Sequence, residues 1–177
     1  PFNSLADKLA ADYTLTAGVD MSGNPNLKPI GSVANPFTGT FDGKGFTMSD
    51  LTINRPTQDT VAFFGATADA VIKNVTISGG TLSGNGKVAG LIGNALSTTV
   101  NNCSVNADVS GASNTGGLIG FATSTTITHS HAKGTITCSG NNAGGLVGNL
   151  NTCTVSGCYA QADISGAGKY HAGFIGY

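Results

Sequence analysis

One short phrase recurs along this chain at a nearly constant interval. It reads VAGLIG at 88–93, TGGLIG at 115–120, AGGLVG at 143–148 and HAGFIG at 171–176, with a cruder copy, TVAFFG, at 60–65. Aligned on the closing glycines Gly65, Gly93, Gly120, Gly148 and Gly176, the intervals are 28, 27, 28 and 28. A fixed period in this range marks a solenoid, in which each repeat can bury its apolar face only against its neighbours.

The runs between the phrases say which solenoid. VIKNVTI (71–77), TVNNCSV (99–105), TITHSHA (126–132) and TVSGCYA (154–160) form one set. GTLSG, ADVSG, TITCSG and ADISG form another, each closing on Ser-Gly. Three short strand-like segments per unit, with no helical period, predict an all-β, right-handed parallel β-helix of about 28 residues per coil. Composition agrees: 27 glycines, no Glu, no Trp and a single Arg, Arg55, in a chain rich in Thr, Ser and Asn. Helix formers are scarce, and strand and turn formers abound. Five coils about 4.8 Å apart would stand about 24 Å tall.

Stacked coils bring like residues together. Leu91, Leu118 and Leu146 form one internal ladder, with Phe63 below and Phe174 above. Ile72, Val100, Ile127 and Val155 form a second. Leu82, Val109 and Ile164 form a third, with Cys138 placed in its gap. The closing glycines belong at corners needing a positive φ or at close backbone approaches. The adjacent apolar pairs resist this scheme, because neighbouring side chains on a strand point to opposite faces. Either a corner or covering loop hides one member, or Ile92, Ile119, Val147 and Ile175 form an outer stripe that another chain covers.

The whole chain reads as one domain, 1–177. Residues 1–12 form an N-terminal cap, with Phe2, Leu5 and Leu9 at helical spacing. Irregular lead-in coils follow over 13–58, and regular coils over 59–177. The last phrase, ending at Tyr177, leaves Phe174 and Tyr177 as a modest cap or as a surface on which something stacks. Because the chain opens on Pro1, it reads as a processed or excised piece, and missing targeting signals carry no weight.

The search for chemistry is short. A net charge of −1 with few basic residues argues against nucleic acid, and no apolar run is long enough to insert in a membrane. SGNGKV at 83–88 lacks both the first glycine and the Ser/Thr of a phosphate loop. His129 and His131 fall on one side of a strand without further ligands, and so read as a polar ladder. Asp108 and Asp163 occupy equivalent places two coils apart, roughly 10 Å, near the separation of an inverting glycosidase pair. No third acid or aromatic subsite accompanies them, and turn-type hydrogen bonding explains both. DMSGNPN at 20–26 could hold Ca²⁺ weakly at Asp20 but reads as a plain turn. Asn74-Val-Thr76 and Asn102-Cys-Ser104 fit the glycosylation triplet, as the repeat itself would produce. Cys103, Cys138, Cys153 and Cys158 lack metal spacing. They read as buried thiols, or as a disulfide framework with three possible pairings.

The AGLIG, GGLIG, GGLVG and AGFIG cores, with IKNVTISGG and VNNCSVNADVSG, resemble the GLUG repeat family. The lead-in YTLTAGVDMSG…KPIGS…FTGTFDGKGFTMSDLTI is similar to its usual approach segment. Thr115, His171 and Phe63–Phe64 depart from the pattern. The resemblance implies an extracellular, cell-surface or secreted bacterial protein, an adhesin or a non-catalytic region of a surface metallopeptidase, and it transfers no catalytic residue. The expected function is a non-enzymatic structural or adhesive β-solenoid without cofactors, serving as stalk, fibre or adhesin subunit. Its expected partners are itself, end to end or laterally, neighbouring domains, or a host glycan or protein. The alternative is a glycan-binding or glycan-active β-helix using Asp108 and Asp163.

Overall fold

A computed structural model of the chain describes residues 8–24 and 26–177. Residues 28 apart lie one above the other, as the period requires. Every named strand pair is parallel, and the strands inside each wall bond to the coils before and after them. The walls of the column are four. Wall a stacks Tyr13–Thr14, Thr40–Asp42, Val71–Lys73, Thr99–Asn101, Thr126–Thr128 and Thr154–Ser156. Wall b stacks Val19–Asp20, Thr47–Ser49, Thr76–Ser83, Ser104–Gly111, His131–Cys138 and Tyr159–Gly166, with Ile53–Asn54 also paired to Thr76–Ser83. Wall c contains Gly86–Ala89, Ser113–Gly116, Ala143–Gly144 and His171–Ala172. Wall d contains Phe64–Ala68, Ile92–Leu96, Ile119–Thr123 and Val147–Asn151.

Four strands per coil replace the expected three because two of the sequence runs each contain a corner. Asn74 turns VIKNVTI between walls a and b, and Gly90–Leu91 turns VAGLIG between walls c and d. The tail of one run and the Ser-Gly run then fuse into the eight-residue strand Thr76–Ser83.

The corners are left-handed, and glycine builds few of them. Positive φ recurs at Asp69, Ser97, Ser124 and Thr152, again at Asn74, Asn102, His129 and Gly157, and again at Thr60, Lys87, Asn114, Asn142 and Tyr170. Non-glycine residues pay a steric penalty there. Asn amide ladders reinforce two corners: Asn102 Nδ2 donates to Asn74 Oδ1, and Asn142 Nδ2 donates to Asn114 Oδ1, both at 2.9 Å.

Four of the closing glycines, Gly65, Gly93, Gly120 and Gly148, sit elsewhere, inside the strands of wall d. Close approach is what demands them. A Cβ on Gly120 would lie 2.6 Å from Lys87 C and 2.8 Å from Gly93 O, and one on Gly148 would lie 2.6 Å from Asn114 C. The phrase is thus a tight reversal in which walls c and d rest backbone on backbone. At its bend the pleat's alternation breaks, so Leu91, Leu118 and Leu146 turn inward together with Ile92, Ile119 and Val147. All six are fully buried. This corrects the outer-stripe alternative: Ile92, Ile119 and Val147 are core residues.

The ladders run as registered pairs. Leu91 N donates to Leu118 O at 3.2 Å, and Leu118 N to Leu146 O at 2.9 Å. Phe41, Ile72, Val100, Ile127 and Val155 align on wall a. On wall b the gap in the third ladder is filled by Ile136, between Val109 and Ile164, while Cys138 aligns with Gly111 and Gly166. Aligning on the Ser-Gly ends misplaces Cys138, because in the third run, TITCSG, the Ser-Gly lies two residues beyond the register position.

The lead-in coils are more regular than their sequence suggests. Tyr13 stacks on Phe41, Val19 on Met48, and bridges join Ile30 to Phe64 and Phe37 to Thr67. Phe37, Phe41, Phe63 and Phe64 pack at centroid distances of 4.9–5.7 Å, filling this end of the core. The N-terminal helix is a further correction. Residues 1–7, including Phe2 and Leu5, lie outside the described residues. Residues 8–12 form a turn closed by Ala11 N to Lys8 O at 3.2 Å. Leu9 O is taken by the amides of Thr38 and Gly39, which binds this segment to the column in place of a helical ladder.

Replacing Gly120 by Ala should therefore lower the melting temperature sharply, since backbone must move to admit the new carbon. The same change at Gly173, where nothing lies within 4 Å of the added carbon, should leave it nearly unchanged. Thermal unfolding followed by circular dichroism compares the two.

Candidate functional site

The corners carry an inward polar device. In the upper coils the left-handed residue between walls d and a is followed by Thr98, Thr125 or Cys153, and that between walls a and b by Cys103, Ser130 or Cys158; in the coil below, Ala70 and Val75 take these places. Each side chain donates back to a carbonyl two residues earlier: Thr98 to Leu96 O (2.9 Å), Thr125 to Thr123 O (3.0 Å), Ser130 to Thr128 O (2.8 Å) and Cys158 to Ser156 O (3.3 Å). Four of them, Thr125, Ser130, Cys153 and Cys158, also accept the corner amide of the coil before. Cys103 N donates to Ser130 Oγ at 3.0 Å, Thr98 N to Thr125 Oγ1 at 3.4 Å, Thr125 N to Cys153 Sγ at 3.4 Å, and Ser130 N to Cys158 Sγ at 3.4 Å. A buried amide that loses its ladder partner at a turn must find another. The four cysteines are free thiols. Three of them replace hydroxyls in this device, and burial pushes the Cys103 thiol up to about 12.

A second polar cluster lies low on wall a. Asp42, buried, accepts Asn74 Nδ2 at 3.0 Å and Lys44 N at 2.9 Å, with Lys44 and Lys73 ammonium groups at 3.4 and 3.6 Å. The Asn74 amide, aided by Lys44, outweighs burial and holds this carboxyl at about 2. The triplets at Asn74 and Asn102 thus belong to one amide ladder rising from Asp42.

The remaining candidates fall apart as sites. Asp108 lies in the strand Ser104–Gly111, not in a turn, and its carboxylate accepts Thr135 N at 2.9 Å. Thr135 is also the residue beneath Asp163, so a hydroxyl rung separates the two acids. His129 stands at a corner, and His131 opens the next strand beyond buried Ser130, so they do not share one strand. His131 stacks on Tyr159 at 4.6 Å with rings 5° from parallel. Burial, with Lys133 nearby, lowers its pKa and favours the neutral ring. Asp20 accepts Ser22 N at 2.8 Å in a plain Asx turn, and the Ser22 hydrogen bonds lower its pKa. Among the described residues no group of three His, Cys or Asp side chains is placed to hold a metal ion. Lys87 of SGNGKV reaches Asn94 Oδ1 at 3.1 Å and lies over the Phe121 ring.

What remains is the last coil. Val155, Ile164, Phe174 and Ile175 occupy rungs whose lower members, Ile127, Ile136, Leu146 and Val147, are fully buried, yet these four are only partly covered. Tyr159 is 46% exposed and Tyr177 66%, the latter leaning on Tyr170 at 5.1 Å. Of the six expected interface residues, Phe174, Ile175 and Tyr177 are brought together here. The burial of the other three was not visible in a pattern read as straight strands.

The profile of the GLUG motif matches residues 111–137 and 139–165, each one turn of the column. This chain carries GLUG repeats. Halomucin of Haloquadratum walsbyi is 33% identical over 109 residues, which is 58% of this chain and 1% of that protein. A Gly-rich membrane protein of Evansella cellulosilytica is 33% identical over 104 residues, 58% of this chain and 12% of its relative. The chain thus spans a small fraction of the relatives it matches. Its fold is that of an immunoglobulin A1 protease structure from Bacteroides ovatus. The TM-score is 0.62 at 18% identity, over 92% of this chain and 64% of the other, a likeness of fold alone.

Two outcomes follow for the GLUG coils. Ser130→Val should cost about 1–3 kcal/mol by leaving Cys103 N unpaired, whereas Ser130→Cys, the residue used on the rungs above and below, should cost much less; urea unfolding measures both. Because the Asp42 pKa is depressed in the folded state, its stabilising share is present above about pH 4 and is lost as pH falls toward 2. Asp42→Asn should therefore flatten the acid limb of the stability curve.

Proposed function

We propose that the chain is a non-catalytic architectural segment of a secreted or surface-attached protein, a stiff GLUG column that carries or spaces other units. The observation that carries this reading is where the reactive side chains go. Asp108 holds the Thr135 amide, Asp42 anchors an amide ladder, and the corner thiols and hydroxyls bind coil to coil. These groups act along the column, not toward a substrate. The outer faces carry Thr, Ser and Asn, such as the aligned Thr99, Thr126 and Thr154, which suits water-exposed stalks and weak adhesive contacts. The kinship with halomucin and with a Gly-rich membrane protein supports a surface setting.

A second reading, glycan binding, is favoured by one observation. The exposed His131–Tyr159 stack on wall b offers an aromatic platform beside Gln161 and Asp163.

Antibody against the folded column should label intact cells or the culture medium. Labelling confined to the cytosol would defeat the surface assignment. A reducing-sugar assay on a glycan panel should stay at background, and hydrolysis abolished by Asp108→Asn or Asp163→Asn would replace this reading with an enzymatic one.

A further inference from the structure

Among the described residues five joints share one device, in which an Asp or Asn side-chain oxygen accepts a main-chain amide one coil later. Asp12 takes Thr40 N, Asn26 takes Asn54 N, Asp59 takes Gly86 N, Asp108 takes Thr135 N and Asn141 takes Lys169 N, at 2.8–3.2 Å. At four of these the residue before the held amide is Gly or Ile. At Asp59 it is Asn85, in the chain's single Asn-Gly pair. Asp59 Oδ1 accepts Asn85 Nδ2 at 2.9 Å as well as Gly86 N at 3.0 Å. One carboxylate oxygen therefore holds an asparagine carboxamide and the main-chain amide that follows it. The joint lies inside the column, with Asn85 N donating to Gln58 O in the coil below and Asn85 O accepting Ala112 N from the coil above.

From this arrangement we infer that Asn85 is a self-modification site. Asp59 drives closure of the Asn85 side chain onto the Gly86 nitrogen as a succinimide, which water then opens to aspartate or isoaspartate.

The chemistry needs only the chain and water. Asp59 takes the Gly86 N–H proton, and the freed nitrogen attacks Asn85 Cγ to form the ring bond. The Cγ–Nδ2 bond breaks, and Nδ2 leaves as ammonia carrying the proton that Asp59 returns. Both atoms served by the carboxylate, nucleophile and leaving group, are already its hydrogen-bond partners, as a positioned acid–base group requires. Asn85 and Asp59 are exposed, so water reaches the ring. Its addition at Cγ gives aspartate; addition at the main-chain carbonyl gives isoaspartate, with the backbone rerouted through Cβ and Cγ. Glycine at 86 leaves the nitrogen unscreened, and a Cβ there would crowd Asp59 Oδ1 at 3.1 Å. Either product sets a carboxylate where Asp59 held an amide donor, and like charges so close repel. Isoaspartate also displaces Asn85 O from Ala112 N and Ser113 N, now at 2.6 and 3.2 Å. The site thus loosens one joint of the column with age.

Purified protein held warm at neutral pH and then digested with trypsin yields residues 74–87 for mass spectrometry. Fragmentation should place the acid at residue 85 and leave Asn74 unchanged, and an isoaspartate methyltransferase should label the same peptide. Folded wild-type protein should convert several-fold faster than the same chain in guanidinium chloride, where Asp59 no longer meets Asn85. Asp59→Asn retains an acceptor oxygen but takes no proton. With an unchanged circular dichroism spectrum, it should convert roughly tenfold more slowly, or less still. Conversion no faster in the folded chain than in the unfolded one overturns the inference without recourse to any variant. A folded Asp59→Asn protein that converts at the wild-type rate overturns it too.

Discussion

The structure depends on one constraint: the backbone of each coil must find its hydrogen-bond partners in the coils on either side. Among the described residues every strand pair joins different coils, so the register between coils is the fold. A period of 27 or 28 residues keeps that register, and everything repetitive about the sequence follows from it. Leucine stands over leucine because the ladder Leu91–Leu118–Leu146 is set by main-chain bonds before any side chain is chosen. The same logic applies where the ladder fails. At corners the main chain turns out of register, and the amides of Thr98, Cys103, Thr125 and Ser130 turn to hydroxyls and thiols of the following coil.

Much of this was legible beforehand, because stacking makes structural equivalence and sequence equivalence the same thing. The period, the parallel coils, the aliphatic ladders of walls a and d and the special role of Gly93, Gly120 and Gly148 could all be read from aligned phrases. What stayed hidden were departures from straight strands. Asn74, Ser97 and Lys87 adopt left-handed backbone without being glycine, so the corners carried no compositional flag and four walls looked like three. The paired Leu-Ile residues looked like one buried and one exposed side chain because the bend between them was invisible.

The candidate chemistry was misread for a related reason. Cys103 and Cys158 read as buried thiols or disulfide partners, whereas with Ser130 they share a corner task that depends on an amide one coil away. Asp108 drew attention as an acid aligned with Asp163, whereas Thr135 on the intervening rung uses the first for its own amide. In a repeat protein, alignment alone brings like groups into line, and a row of acids or histidines says less than it would in an irregular fold. Thr115, whose buried hydroxyl sits where neighbouring coils place Val88 and Ala143, shows that rungs tolerate local misfits.

The corner device also gives the column a polarity. The amides of Thr98, Cys103, Thr125 and Ser130 reach forward to side chains of the coil that follows. The amides one residue on, at Thr99, Ser104, Thr126 and His131, reach back to carbonyls of the coil before. A change of side chain at a corner therefore loosens the joint on one side of a coil and leaves the other side, which is main chain alone, intact.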